Sequence, residues 1–129
     1  MVSTILVSEK QEAGKRLVEL LDKENVIVGA AFWYLYEDEE EWRLVIAMPM
    51  VDQSGPASGY DLVLRIRRDQ ASILSTSEIV VVGMRDRKVL LLGKMIQTGP
   101  GLSGIRLSRN VINGTYVEDA YIYRLLQAA

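Results

Sequence analysis

The chain has 129 residues, 49% of them hydrophobic and 25% charged, with a formal net charge of −2. That balance fits a globular chain of one-domain size and excludes disorder and collagen-like repeats. With no apolar run of about 18 residues, it also excludes a membrane-spanning helix. Cysteine and histidine are both absent, which removes disulfides, thiol nucleophiles, Cys/His zinc sites, histidine acid–base catalysis and the Ser-His-Asp triad. The start of the chain carries no basic segment followed by an apolar core, so no signal peptide is expected and a cytoplasmic location is.

Charge is unevenly distributed. Residues 1–61 carry twelve Asp/Glu and five Lys/Arg, whereas residues 62–129 carry five acidic and ten basic residues, giving −7 and +5. Two readings follow: a nucleic-acid or acidic partner for the second half, or two halves that attract each other within one fold. The basic residues are scattered rather than run together, which supports the second.

In chain order, Ser8–Lys23 reads as a helix with Ser8 as N-cap, Glu9 and Glu12 near its positive end and Ala13, Leu17, Leu20 and Leu21 in one apolar stripe. Asn25 closes it. Val26–Tyr36 is β-rich and apolar nearly throughout, so either both faces are covered or one face meets a partner. The acidic run 37–41 reads as a solvated hairpin loop and Trp42–Met50 as the return strand, with Pro49 near its end. Centred on Glu39, that hairpin sets Tyr36 opposite Trp42 and Trp33 opposite Val45.

Asp52–Pro56 is turn chemistry, followed by a helix with Tyr60, Val63 and Leu64 inward and Arg65, Arg67 and Arg68 at its C-terminal end. Ser75–Ser77 breaks the chain before Glu78–Gly83, whose valine run reads as a central, buried strand. For residues 86–97, a helix N-capped by Asp86 and stopped at Gly99-Pro100 is preferred to a strand at Val89–Leu92, with Gly93 as the residue that weakens it. Asn113-Gly114 is a strong hairpin signal. A two-residue turn there sets Ile112 opposite Thr115, Val111 opposite Tyr116, Arg109 opposite Glu118 and Leu107 opposite Ala120. Val111, Tyr116, Leu107 and Ala120 then share a core face, and Arg106, Tyr121 and Tyr123 lie on the other.

Motifs for chemistry are sparse. Gly99–Gly104 matches G-x-G-x-x-G, but strand-like sequence follows it, so a dinucleotide site is not expected. Gly99, Gly101 and Gly104 remain candidates for an anion-binding nest, against a plain helix-to-strand connection. Asn113-Gly114-Thr115 forms a glycosylation sequon and is read as a turn. Asp52, Asp61, Glu118 and Asp119 are the carboxylates for metal or acid–base work, yet Glu118 and Asp119 point to opposite faces of a regular strand. Arg106, Tyr121 and Tyr123 suit cation–π contact or base stacking, with packing under a second-half helix as the plainer role. Trp33 and Trp42 complete the candidate interaction surface.

The segments Thr98–Gly101, Asn113-Gly114, Glu118–Leu125 and Trp42–Val45 resemble uncharacterised bacterial α+β proteins. That resemblance implies a bacterial cytosolic setting and assigns no residue a role.

The expectation is a single α+β domain over 1–129, in the order α-β-β-α-β-α-β-β, with about three helices on a mostly antiparallel five-stranded sheet. No cofactor or metal is expected. The preferred function is a non-enzymatic protein-interaction or regulatory module that self-associates as a homodimer through the first hairpin or a sheet edge. Nucleic-acid binding by the basic second half is the alternative, and a small carboxylate- or metal-dependent hydrolase is third.

Overall fold

The apolar stripe of the first helix and the alternating strands behind it build a sheet covered on both faces. In the computed structural model, which describes residues 5–126, the elements are α1 (Ser8–Lys23), β1 (Ala30–Tyr36), β2 (Glu41–Ala47), α2 (Pro49–Ser54), α3 (Pro56–Ile66), β3 (Ile79–Val82), α4 (Arg87–Gly93), β4 (Ile105–Ile112) and β5 (Thr115–Leu125). Single 3₁₀ turns lie at Arg67–Gln70 and Thr76–Glu78. The sheet is five-stranded in the order β3-β2-β1-β5-β4. Only β2–β3 is parallel; the other neighbours are antiparallel. The chain is α+β, as its patterning indicates.

Local chemistry explains the helix ends. Val7, not Ser8, is the N-cap of α1, and no side chain caps it; Gln11 instead donates from Nε2 to the Leu6 carbonyl at 3.0 Å. At the other end Asn25 takes φ +61°. Its N–H reaches the Asp22 carbonyl and Val26 N–H reaches Leu21, the Schellman pattern that satisfies the last carbonyls. Residues 49–54, expected to be strand end and turn, form α2 because Pro49 suits a first helical position. Gly55 at φ +84° then breaks the chain before α3 starts with Pro56. Asp86 caps α4 through Lys88 N–H at 3.0 Å, so a helix rather than a strand forms here. It ends at Gly93, the residue expected to weaken it, and does not reach Gly99-Pro100.

Each sheet face has its own core. On one side Ala31, Trp33, Leu35, Trp42, Leu44, Ile46, Ile79, Val81 and Tyr123 pack against Ala13, Leu17, Val18 and Leu21 of α1 and Val63 of α3. On the other, Ala30, Phe32, Tyr34, Val45, Ala47, Leu107, Val117, Ala120 and Ile122 pack with Val89 and Leu92 of α4. β1 is therefore covered within one chain, and its apolarity requires no second copy.

Three register features differ from expectation. The first hairpin pairs Tyr36 with Glu41 and Trp33 with Leu44, because its turn holds four residues and Glu40 adopts φ +51°. That shift of one places Trp33 and Trp42 on the same face. β3 is a four-residue edge strand, not a central one: β2 pairs with it in parallel, and its outer side has no neighbour in the sheet. In the second hairpin the expected register holds, with Ile112 opposite Thr115 and Leu107 opposite Ala120. Arg109, however, has φ +52°, and the inward parity changes across it. Leu107 and Ala120 face the core, but so do Ile112 and Val117. Val111 and Tyr116, expected inside, are 65% and 45% exposed.

Candidate functional site

The residues singled out by sequence separate into distinct surroundings. Trp33 and Tyr123 lie under α1, closed from solvent; the covering helix belongs to the first half of the chain, not the second. Tyr123 points there by strand alternation from Tyr121, which lies opposite Trp33, and the bulge in β5 between the partners Ala31 and Phe32 then turns Arg124 to the same side. Trp33 Nε1 donates to Tyr123 Oη at 3.0 Å, and that hydroxyl donates to the Gln11 carbonyl. Tyr121 sits edge-on to Tyr123 at 5.4 Å and half-buried.

Arg106 forks onto Asp119, with Nε and Nη2 at 2.5 and 2.6 Å from the two carboxylate oxygens, while Ser108 Oγ donates to Oδ1. Its guanidinium also lies 5.5 Å from the ring centre of Trp42. Burial raises the Asp119 carboxyl, but these donors outweigh it and hold the group below its ordinary value. Trp42, Arg106 and Asp119 thus clamp one end of the sheet together.

The remaining carboxylates also have structural partners. Asp52 accepts the N–H groups of Met84 and Arg85 at 2.7 and 3.3 Å. Glu118 accepts the Tyr116 hydroxyl at 2.5 Å and makes no ion pair with Arg109 among the described residues, since the left-handed backbone at Arg109 breaks the regular strand geometry at this pair. Asp61 is exposed on α3. Among the described residues no group of three His/Cys/Asp/Glu side chains could hold a metal ion.

The glycine loop connects α4 to β4. None of Gly99, Gly101 and Gly104 has positive φ, so the alternating left- and right-handed backbone of a nest is not built there. Ser103 N–H is already committed to the Tyr123 carbonyl at 2.7 Å. Gly104 is needed for space: a Cβ there would stand 2.6 Å from Tyr121 Oη.

Besides a hollow of about 430 Å³ at the start of α1, lined by Lys10, Trp33, Trp42 and Glu78 among others, two surfaces are concave. A cleft of about 760 Å³ lies between the C-terminal ends of α1 and α3, floored by Leu20, Val26, Leu62 and Ile66. Its rim mixes Lys23, Arg65 and Arg68 with Glu24 and Asp69, so no sign of charge dominates it. The second feature is a groove on the opposite face, beside the seven residues of α4. Two adjoining hollows of about 210 and 470 Å³ share Tyr34 and Lys88. One is bordered by Glu37, Asp38, Glu39, Tyr116 and Glu118, the other by Arg87, Leu90, Lys94 and the hairpin tip at Asn113 and Thr115.

The aromatic floor follows from strand periodicity. Phe32, Tyr34 and Tyr36 alternate along β1 and so share a face, with edge-on ring contacts of 6.4 and 5.5 Å. Lys88 Nζ stands 5.1 Å above Tyr34 and 4.7 Å above Tyr36. Burial, and then the charge of Glu37, raises the Tyr34 hydroxyl; burial followed by Asp86 raises Tyr36. Tyr116 is raised first by its bond to Glu118. All three remain neutral phenols at physiological pH.

No family model, curated protein or solved structure matches the chain. The groove therefore stands on its own chemistry. It has an apolar and aromatic floor, a cationic wall on α4, an acidic end at the 37–41 turn, and exposed Leu90 and Tyr116 on its flanks. Sequence reading passed over Tyr34, Tyr36 and Lys88. The spacing Tyr34-x-Tyr36 does signal one shared face, but nothing local announces that α4 will lie across it.

Proposed function

We propose that the chain is a non-enzymatic interaction module that self-associates through the groove between α4 and the β4–β5 hairpin. One observation carries the reading: charges of opposite sign occupy the two ends of a single groove. Arg87, Lys88 and Lys94 line the α4 side, while Glu37, Asp38, Glu39 and Glu118 border the other. A two-fold pairing sets each basic end against the partner's acidic end, which is self-complementary by construction. Leu90 and Tyr116, both more than two-fifths exposed, supply apolar area beside it. A sheet-edge dimer through β4 is less well supported, because the left-handed backbone at Arg109 interrupts that edge.

Charge reversal tests the pairing. The double variants Arg87→Glu/Lys94→Glu and Glu37→Lys/Asp38→Lys should each sediment as monomers at tens of micromolar, where the native chain should sediment at twice the monomer mass. Mixed in equal amounts, they should recover the dimer, since each basic end again meets an acidic one. A native chain that stays monomeric under those conditions rejects the proposal.

Nucleic-acid binding is the second reading, supported by Arg85, Arg87, Lys88 and Lys94 in one short stretch. The acidic turn on the same groove repels phosphate and counts against it. Affinity of the native chain for a labelled single-stranded oligonucleotide, lost in Arg87→Glu/Lys94→Glu and not restored by mixing, would favour this reading over pairing.

A further inference from the structure

Lys88 is held in an unusual way. Its ammonium makes no hydrogen bond and no ion pair among the described residues, although Glu37, Asp38, Glu39 and Glu118 line the same hollow. What it does contact is the pair of rings of Tyr34 and Tyr36. Tyr116 borders this hollow of about 210 Å³ as a third ring. Three phenol rings thus border one cavity together with Lys88. Arg43 lies 5.4 Å from the Tyr36 ring centre and pairs with Glu39, so Glu37, Asp38 and Glu118 are the carboxylates that, with the ring quadrupoles, make the lining favour cations. The lysine shows that an ammonium fits against the rings, and the absence of hydrogen bonds shows that little besides the rings retains it.

We propose that the Tyr34–Tyr36–Tyr116 hollow is a recognition site for a methylated ammonium group, with Lys88 as a displaceable internal occupant. A methylated ammonium suits the site better than a primary one. Fully methylated, it is more weakly hydrated, has no N–H hydrogen bonds to lose on leaving water, and presents methyl groups to the rings while the carboxylates act through space. The three hydroxyls stay protonated, so the rings remain neutral walls. The same chemistry is carried by free quaternary amines and by trimethylated lysine in a protein. The site lies within one chain and does not depend on self-association, although an occupant there would compete with a partner's α4 for the acidic end of the groove.

Calorimetric titration of the full chain with tetramethylammonium, choline and N-acetyl-trimethyl-lysine amide tests this. Saturable binding is expected, about fivefold tighter in Lys88→Met and about fivefold weaker in Tyr36→Leu, with Tyr36→Phe close to native because it keeps the ring. Choline bound in preference to the lysine amide would assign a free amine, and the reverse would assign a modified protein side chain. Repeating the titration on Arg87→Glu/Lys94→Glu should leave binding in place, which separates this site from the dimer. No saturable binding by either the native chain or Lys88→Met overturns the proposal. Equal affinity for tetramethylammonium and potassium also does, since it would show only a general attraction to acidic charge.

Discussion

Trp33 and Tyr123, ninety positions apart, are joined by a 3.0 Å hydrogen bond from the indole nitrogen to the phenol oxygen. The phenol in turn donates a hydrogen bond to the Gln11 carbonyl of α1, so one buried chain of donors ties the helix to two neighbouring strands. Gly14 is what lets α1 come this close. A Cβ at that position would stand 2.5 Å from Tyr123 Oη and 2.8 Å from Trp33 Nε1. Gly14→Ala should therefore destabilise the fold by about 1–3 kcal/mol through overpacking, although alanine improves helix propensity by up to ~1 kcal/mol. Urea unfolding measures the loss. In a Tyr123→Phe background the same substitution should cost less, since the closest clashing atom is gone; equal costs in both backgrounds would show that the hydroxyl is not what constrains Gly14.

Lys10 links α1 to the turn before β3, with Nζ 2.6 and 2.7 Å from the two Glu78 oxygens and 2.6 Å from the Ile73 carbonyl. Burial raises the Glu78 carboxyl, but the Lys10 hydrogen bond and the Ser75 donors outweigh it, and the group sits below its ordinary value of 4.5. A carboxyl depressed in the folded state binds its proton more readily when unfolded. Its stabilising effect is complete above pH 4.5 and is lost as pH falls through the lower, folded value. Glu78→Gln should be less stable than the native chain at neutral pH by up to about 1 kcal/mol, a modest figure because the pair is partly solvated. The gap should close as acid unfolding is followed downward. A gap that stays constant from neutral to acid pH would contradict the assignment.

Asp52 fastens α2 to the loop that leads into α4, accepting the N–H groups of Met84 and Arg85. Removing the acceptor strands a partly buried donor, so Asp52→Ala should cost about 1–2 kcal/mol. Asp52→Asn keeps one acceptor oxygen and should cost less. Amide exchange at Met84 should quicken in the alanine variant before global unfolding does; unchanged exchange there would mean that Asp52 does not hold the loop.

Local signals were legible where a few neighbouring residues decide the backbone. Asn113 and Gly114, at φ +48° and +79°, form the turn that their tolerance of positive φ favours, and that turn sets the pairing of β4 with β5. The helix Ser8–Lys23 follows from its stripe and its closing Asn25. The Ser75–Glu78 capping box was equally readable from its spacing, and reading Ser75–Ser77 only as a chain break missed it. The first hairpin failed by one residue because five consecutive acidic side chains give no preference for a five- or four-residue turn.

The amino-acid sequence by itself determined the class of the fold, the two-residue turn, the start of the helix capped by Asp86 and the absence of thiol and imidazole chemistry. All of these depend on composition or on residues within a turn or two of one another. Tertiary structure alone decided that β3 lies at an edge, that Arg109 reverses the inward parity of its hairpin, and that Lys88 comes to rest over Tyr34 and Tyr36. Those outcomes depend on which strands pair across long loops and on how two packed cores share one twisted sheet. Their free energies belong to contacts between distant segments, which no local pattern of side chains encodes.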